Sequence, residues 1–237
     1  MSFKQGTAVL ALTAVAVIAA GATAGATEDT STQDSSSTYV IAKPSNTTKL
    51  SSLTGDEERF YETGPIDSDT LVVIPNDDGS LPGGVTEADL DAWAAGELSE
   101  SDIRAMGFDT GNESRAEASR SSTVAPMSTA RAYAAAPLSW SSAYNGSNIW
   151  GYDDGARVSY VFNVTLGSNQ SAGGQGLGYY QGYNGSQMGV WSKWYGLGVA
   201  TSGSNGGASV PWGEVLAVAK FKAKSTTIHA ATGKFWS

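Results

Sequence analysis

The chain contains no cysteine and a single histidine, His229. Without thiols there is no disulfide framework, no Cys nucleophile and no thiolate metal site. With one imidazole, a Ser-His-Asp triad would have to pair His229, in an expected strand, with Asp153 or Asp154, and no Gly-x-Ser-x-Gly elbow accompanies it. Carboxylates are also scarce late in the chain: from residue 133 onward the acids are Asp153, Asp154 and Glu214. The first two read as a turn, "DDG", so the spaced pair that glycoside hydrolysis needs is missing. Glycine-rich stretches abound, yet none leads into a helix as a phosphate-cradling loop would. This inventory points to a protein that is not an enzyme, with no cofactor and no metal site.

Long apolar runs are missing too. Residues 7–21, "TAVLALTAVAVIAAG", fall short of the ~20 residues a spanning helix needs. Preceded by Lys4 and followed by the small-residue exit "ATAGA", the run reads as a secretory signal peptide over 1–26, cleaved after Ala24 or Ala26. The expectation is a secreted, extracellular protein with no transmembrane anchor.

The net charge of −9 hides a split. Residues 27–132 carry 20 acidic and 7 basic side chains; residues 133–237 carry 3 acidic and 6 basic ones. Such asymmetry suggests separate roles for the two halves. Residues 27–57 are dominated by Ser, Thr and acids and offer too little apolar surface to offset ordering entropy, so they read as disordered. In 58–110, "TLVVIP" suggests a short strand. "TEADLDAWAAGE" and "SESDIRAMGF" suggest two short helices, with Thr86 and Ser99 as caps. The whole of 27–110 is thus expected to be an acidic, mostly disordered pro-like region with a weak helical module. Its turn "NDDG" fails as a calcium loop, because Ile74 and Val85 fall where end ligands belong. Residues 111–136, rich in Ser, Ala and Arg, read as a protease-sensitive linker, with Arg115, Arg120 and Arg131 as cleavage points for an extracellular protease acting as processing enzyme.

From 137 to 237 the pattern is β throughout. In "RVSYVFNVTLGS", Val158, Tyr160, Phe162, Val164 and Leu166 alternate with mostly polar residues, the mark of a half-buried strand. Asn-Gly pairs at 184–185 and 145–146 suggest hairpin turns, and "GSNQSAGGQG" and "SGSNGG" read as loops. Six or seven short strands in about 100 residues predict an antiparallel β-sandwich or small barrel.

Residues 133–237 also hold six tryptophans and eight tyrosines, a surplus that suggests stacking surfaces. Alternation through "WSKWYGLG" points Trp191, Tyr195 and Leu197 inward and Trp194 outward. Trp212, after Pro211, is expected at a loop edge. Alternation through "VLAVAKFKAKS" puts Lys220, Lys222 and Lys224 in an outward row about 7 Å apart. Such a row guards a sheet edge or meets anions, the chain's own acidic half among them. The leading expectation is a binding module for glycan or an anionic cell-surface polymer, with Trp194, Trp212 and Tyr180 stacking and Lys220, Lys222 and Lys224 meeting charge. A net +3 in 133–237 argues against nucleic acid. Two alternatives stand beside it: a bacteriocin-like effector held inactive by its acidic pro-region, and an extracellular protease inhibitor or substrate protein.

Overall fold

The computed structural model describes residues 37–45, 57–110, 129–165 and 169–237. The expected signal segment with Ala24 and Ala26, and linker residues 111–128, lie outside the described residues.

The fold is mostly β, built on a barrel-like sheet that nearly closes. Its centre is the hairpin of β9 (Ser171–Asn184) and β10 (Gln187–Thr201), turning at Gly185, whose φ of +68° favours glycine. On one side β10 pairs with β3 (Glu58–Glu62), which pairs with β2 (Lys43–Ser45). On the other side β9 pairs with β12 (Val215–Ser225), and β12 also takes β4 (Thr70–Val73) and β7 (Tyr144–Trp150). Beyond β4 lies β1 (Thr38–Ile41), and beyond β7 lies β5 (Asp109–Thr110). A second sheet, in the order β11 (Asn205–Pro211), β8 (Arg157–Val164), β13 (Ala231–Trp236), β6 (Arg131–Ala135), packs against the first.

Three corrections to the sequence reading follow. The acidic half is not set apart from the β-region. Residues 27–36 and 46–56 lie outside the described residues, but β1 to β5 belong to the same sheet as β9, β10 and β12. The apolar runs "TLVVIP" and "RFYE" are the reason: all of β4 and both rings of Phe60 and Tyr61 are buried. Nor is the sheet wholly antiparallel, since β1–β4, β4–β12 and β5–β7 run parallel, joined through connections long enough to cross over. Finally, the last part of the expected 111–136 linker is strand: β6 opens at Arg131, whose backbone sits in register with Phe235.

Two stretches expected to be loops are strands because aromatic rings need floors. A Cβ at Gly174 would lie 2.7 Å from the Phe162 ring, and one at Gly176 would lie 2.6 Å from the Tyr160 ring. Glycine lets β8's inward rings settle onto the β9 backbone, so "AGGQG" runs inside a strand. Gly206 does the same for Phe162 in β11, a residue within "SGSNGG". At Asn145-Gly146 no hairpin turns: β7 runs straight through, and the hydroxyl of Ser237 occupies the space a Gly146 side chain would need.

The barrel interior and the space between the sheets hold one large core. The inward face of β12, Val215, Ala217, Ala219, Phe221 and Ala223, is buried there with β8's Val158, Tyr160, Phe162 and Val164. A second cluster lies on the outer side of β4 and β12. There helices α1 (Glu87–Ala94) and α2 (Glu100–Ala105) bring Leu90 and Ile103 onto Leu71, Val73, Leu216 and Trp150. Each helix is closed by a capping box, Thr86 with Asp89 and Ser99 with Asp102, which satisfies end donors of helices too short to stand alone. These helix-end hydrogen bonds hold the carboxyls of Asp89 and Asp102 below the usual range.

Candidate functional site

Pro75 interrupts the sheet. β4 hydrogen-bonds along one edge of β12 until the Ile74 amide donates to the Leu216 carbonyl at 3.0 Å. Proline has no amide to continue the ladder, and the chain turns away through Asn76–Gly79. β9 takes up the same edge only from Phe221, opposite Gly176. At the handover a hydroxyl from the other sheet fills in: the Lys220 amide donates to Tyr160 Oη at 3.2 Å, and that hydroxyl donates to the Leu177 carbonyl at 2.8 Å.

Above the gap lies a cleft of about 510 Å³. Its floor is apolar, with Ile74, Leu177, Tyr179 and Trp194. Its rim is charged. Lys220 pairs with Asp77 at 3.1 Å and Lys222 with Glu57 at 3.2 Å, the two acids reaching in from the β4 turn and the start of β3. Arg59 joins them on β3. Glu58, also lining the cleft, is paired with Lys193 at 3.4 Å. Burial holds the Tyr179 phenol well above its ordinary value, so it faces the cleft as a neutral hydroxyl. The Lys220 and Lys222 bridges have acids that are largely exposed, and such bridges contribute only about 0–1 kcal/mol. A ligand can therefore open them at little cost.

The expected site residues divide. Trp194, Lys220 and Lys222 meet in the cleft, with the Lys222 ammonium 4.3 Å above the Trp194 ring. Trp194 does not stand outward: it is 7% exposed, because β10 curves into the nearly closed sheet and Lys222 covers the ring. Trp212 is not at a loop edge. It is fully buried, its indole N–H donating to the Val215 carbonyl at 2.8 Å and its ring meeting Tyr179 edge-on at 4.8 Å. Tyr180 is half-buried on the other face of β9, and Lys224 lies apart from the cleft beside Trp140. Asp77, Glu57 and Arg59 were missed. Their signal was in the sequence: acids close in chain to the strand pattern "ERFYE" and to "TLVVIP" stand opposite a lysine row that sequence alternation had already identified.

Elsewhere, His229 lies exposed in the loop after β12 instead of in a strand, while Asp153 and Asp154 lie in the β7–β8 loop. The Asp78 carboxylate is used within its own turn, accepting from the Ser80 amide and hydroxyl, which hold it below the usual range. Among the described residues no group of three His, Asp or Glu side chains is placed to hold a metal. The chain matches no known family model, no curated protein and no solved structure.

One carboxyl is out of balance. Glu214, between Gly213 and β12, is buried, and its Oε2 has no hydrogen-bond partner. Burial first, then the charges of Asp154, Asp69, Asp67 and Asp153, push its pKa from the ordinary 4.5 up to about 8. The folded state therefore holds this proton more tightly than the unfolded chain does. The stability it contributes is complete below pH 4.5 and is lost as the pH rises to about 8. Glu214→Gln should flatten that decline and raise stability at pH 9 by about 1–2 kcal/mol, a magnitude discounted for solvent screening. Thermal melts of both proteins at pH 5 and 9 check this; parallel declines would show that Glu214 does not carry it.

Proposed function

We propose that the protein is a non-enzymatic, secreted glycan-binding module whose cleft beside Pro75 holds a sugar unit of a cell-envelope or other extracellular polysaccharide. The supporting observation is the convergence of Lys220, Lys222, Arg59, Asp77 and Glu57 on the rim of a 510 Å³ cleft with an aromatic floor. Hydroxylated rings need this mixture: carboxylates accept from sugar hydroxyls, ammonium and guanidinium groups donate to ring substituents, and Trp194 and Tyr179 offer an apolar wall. The volume is that of a pocket for a small ligand, and barrel mouths are a favoured location.

Affinity electrophoresis through gels containing xylan, dextran or polygalacturonate tests the reading. Retardation by at least one polymer is expected, with Arg59→Ala and Asp77→Ala each weakening it about tenfold, the loss of one or two charge-assisted hydrogen bonds. Both side chains are exposed, so the fold should be untouched. Retardation that is equal in wild type and both variants would remove the cleft from the binding surface.

A further inference from the structure

Five large apolar side chains stand exposed among the described residues, and four of them surround one end of the fold. Leu138 is 70% exposed, Trp140 38%, Val199 57% and Ile228 78%. The fifth, Tyr183, lies at the β9–β10 turn, the opposite end of the same hairpin.

Their meeting point is Gly173. In register it faces Lys224 on one side and Val199 on the other. A Cβ there would lie 4.0 Å from the Trp140 ring and 3.9 Å from Thr226, so the indole lies across the strand ends above a bare backbone. The Lys224 ammonium sits 4.9 Å over that indole. Leu138 comes alongside through its amide, which donates to the Ser225 carbonyl at 3.0 Å, and Ile228 extends from the loop just beyond. Leu138 holds φ of +54°, a left-handed backbone that a leucine adopts only at a cost, and that cost serves no core contact because the side chain points into solvent.

Charge sets this end apart. The segments that build it, 129–145, 169–175, 196–209 and 223–233, contain no Asp or Glu in a chain of net charge −9. Lys224 and His229 lie there instead, and Arg131 sits at the far end of β6, opposite Phe235. The apolar side chains project singly from separate loops, set among Ser, Thr and Gly. A protein partner would need a matched contiguous surface, whereas the boundary between lipid headgroups and acyl chains accepts isolated projections.

We propose that this end is a membrane-docking tip. It seats Leu138, Trp140, Val199 and Ile228 at the headgroup–acyl boundary of an anionic bilayer and brings Lys224 to the lipid phosphates. The tip is separate from the cleft and does not depend on the glycan reading. Tryptophan is suited to that boundary because its ring is apolar and its N–H polar, and a neighbouring cation adds attraction to anionic lipid.

Co-sedimentation of the full chain with vesicles of equal phosphatidylglycerol and phosphatidylcholine tests it, against vesicles of phosphatidylcholine alone. Partitioning to the anionic vesicles is expected, with quenching of tryptophan fluorescence when the lipid is brominated. The doubly substituted Leu138→Ser, Ile228→Ser protein should partition at least tenfold less, and Tyr183→Ser should partition like wild type. All three positions are exposed, and unchanged circular dichroism melts would confirm that each variant folds. Failure to bind either vesicle overturns the proposal, as does binding undiminished in the double variant or lost equally in Tyr183→Ser. Equal binding to phosphatidylcholine alone overturns the assignment of an anionic surface. Self-association that disappears in the double variant would show that a second copy is the occupant.

Discussion

Cleavage by a trypsin-like protease between Arg115 and Arg131 is expected to leave one particle, whose two pieces co-elute on size exclusion and part only in denaturant. The physical reason lies in what the amino-terminal piece buries. Phe60 and Tyr61 from β3, Leu71, Val72 and Val73 from β4, Leu90 and Ile103 from the helices and Phe108 are all within 8% exposure of full burial. Eight such side chains, at about 1.5–3 kcal/mol each, amount to roughly 12–24 kcal/mol as an upper estimate. That matches or exceeds the 5–15 kcal/mol by which a whole domain is typically stable. Residues 132–237 alone would expose the edges of β10 and β12 and the outer face of Leu216 and Trp150, an aggregation-prone surface. The isolated 132–237 fragment should therefore lack cooperative unfolding and bind hydrophobic dyes. A monomeric 132–237 fragment that melts within a few degrees of the full chain would overturn this. It would also revive the reading of the acidic half as a detachable pro-region and, with it, the effector that cleavage would release.

The same residues show how far the sequence could be read. Alternation in β8 and on the inner face of β12 was legible, because period-2 burial is a property of the strand itself. The Asn184-Gly185 turn was legible for a similar local reason. What could not be read was whatever depended on a partner strand. Gly174 and Gly176 look like loop residues until Phe162 and Tyr160 are seen resting on them. Leu216 and Val218 look like flaws in a solvent-facing stripe until α1 and α2 are placed over Leu216. Half of the cleft was in view as Trp194, Lys220 and Lys222, since side chains two apart on one strand must line up. The other half, Arg59 on β3, Glu57 just before it and Asp77 in the turn after β4, comes from segments more than 100 residues away in sequence, and only the register of β3 on β10 and of β4 on β12 carries them there. The charge split between the halves was the one long-range hint: it marks ion pairing within a single sheet, Asp77 to Lys220 and Glu57 to Lys222.

Trp212→Ala is expected to destabilise the protein by about 3–5 kcal/mol, the usual cost of deleting a large aromatic from a core that cannot fully collapse. The indole is fully buried, meets Tyr179 edge-on at 4.8 Å and donates to the Val215 carbonyl. At about 2–4 °C per kcal/mol for a chain of this size, the melting temperature should fall by roughly 6–20 °C. Trp212→Phe keeps most of the packing but leaves the Val215 carbonyl without its donor, and should cost about 1–3 kcal/mol. Trp140→Ala, at an exposed ring, should change stability by no more than about 0.5–1 kcal/mol. Urea titrations followed by far-ultraviolet circular dichroism separate the three. The order matters for any binding experiment, because the tryptophan that follows a proline and resembles a presented stacking ring in the sequence is the one that holds the barrel to its loop. Loss of glycan retention in Trp212→Ala would report unfolding, whereas loss in Arg59→Ala or Asp77→Ala reports the cleft. A Trp212→Ala protein within 1 kcal/mol of wild type would place the indole outside the core and return it to the candidate binding surface.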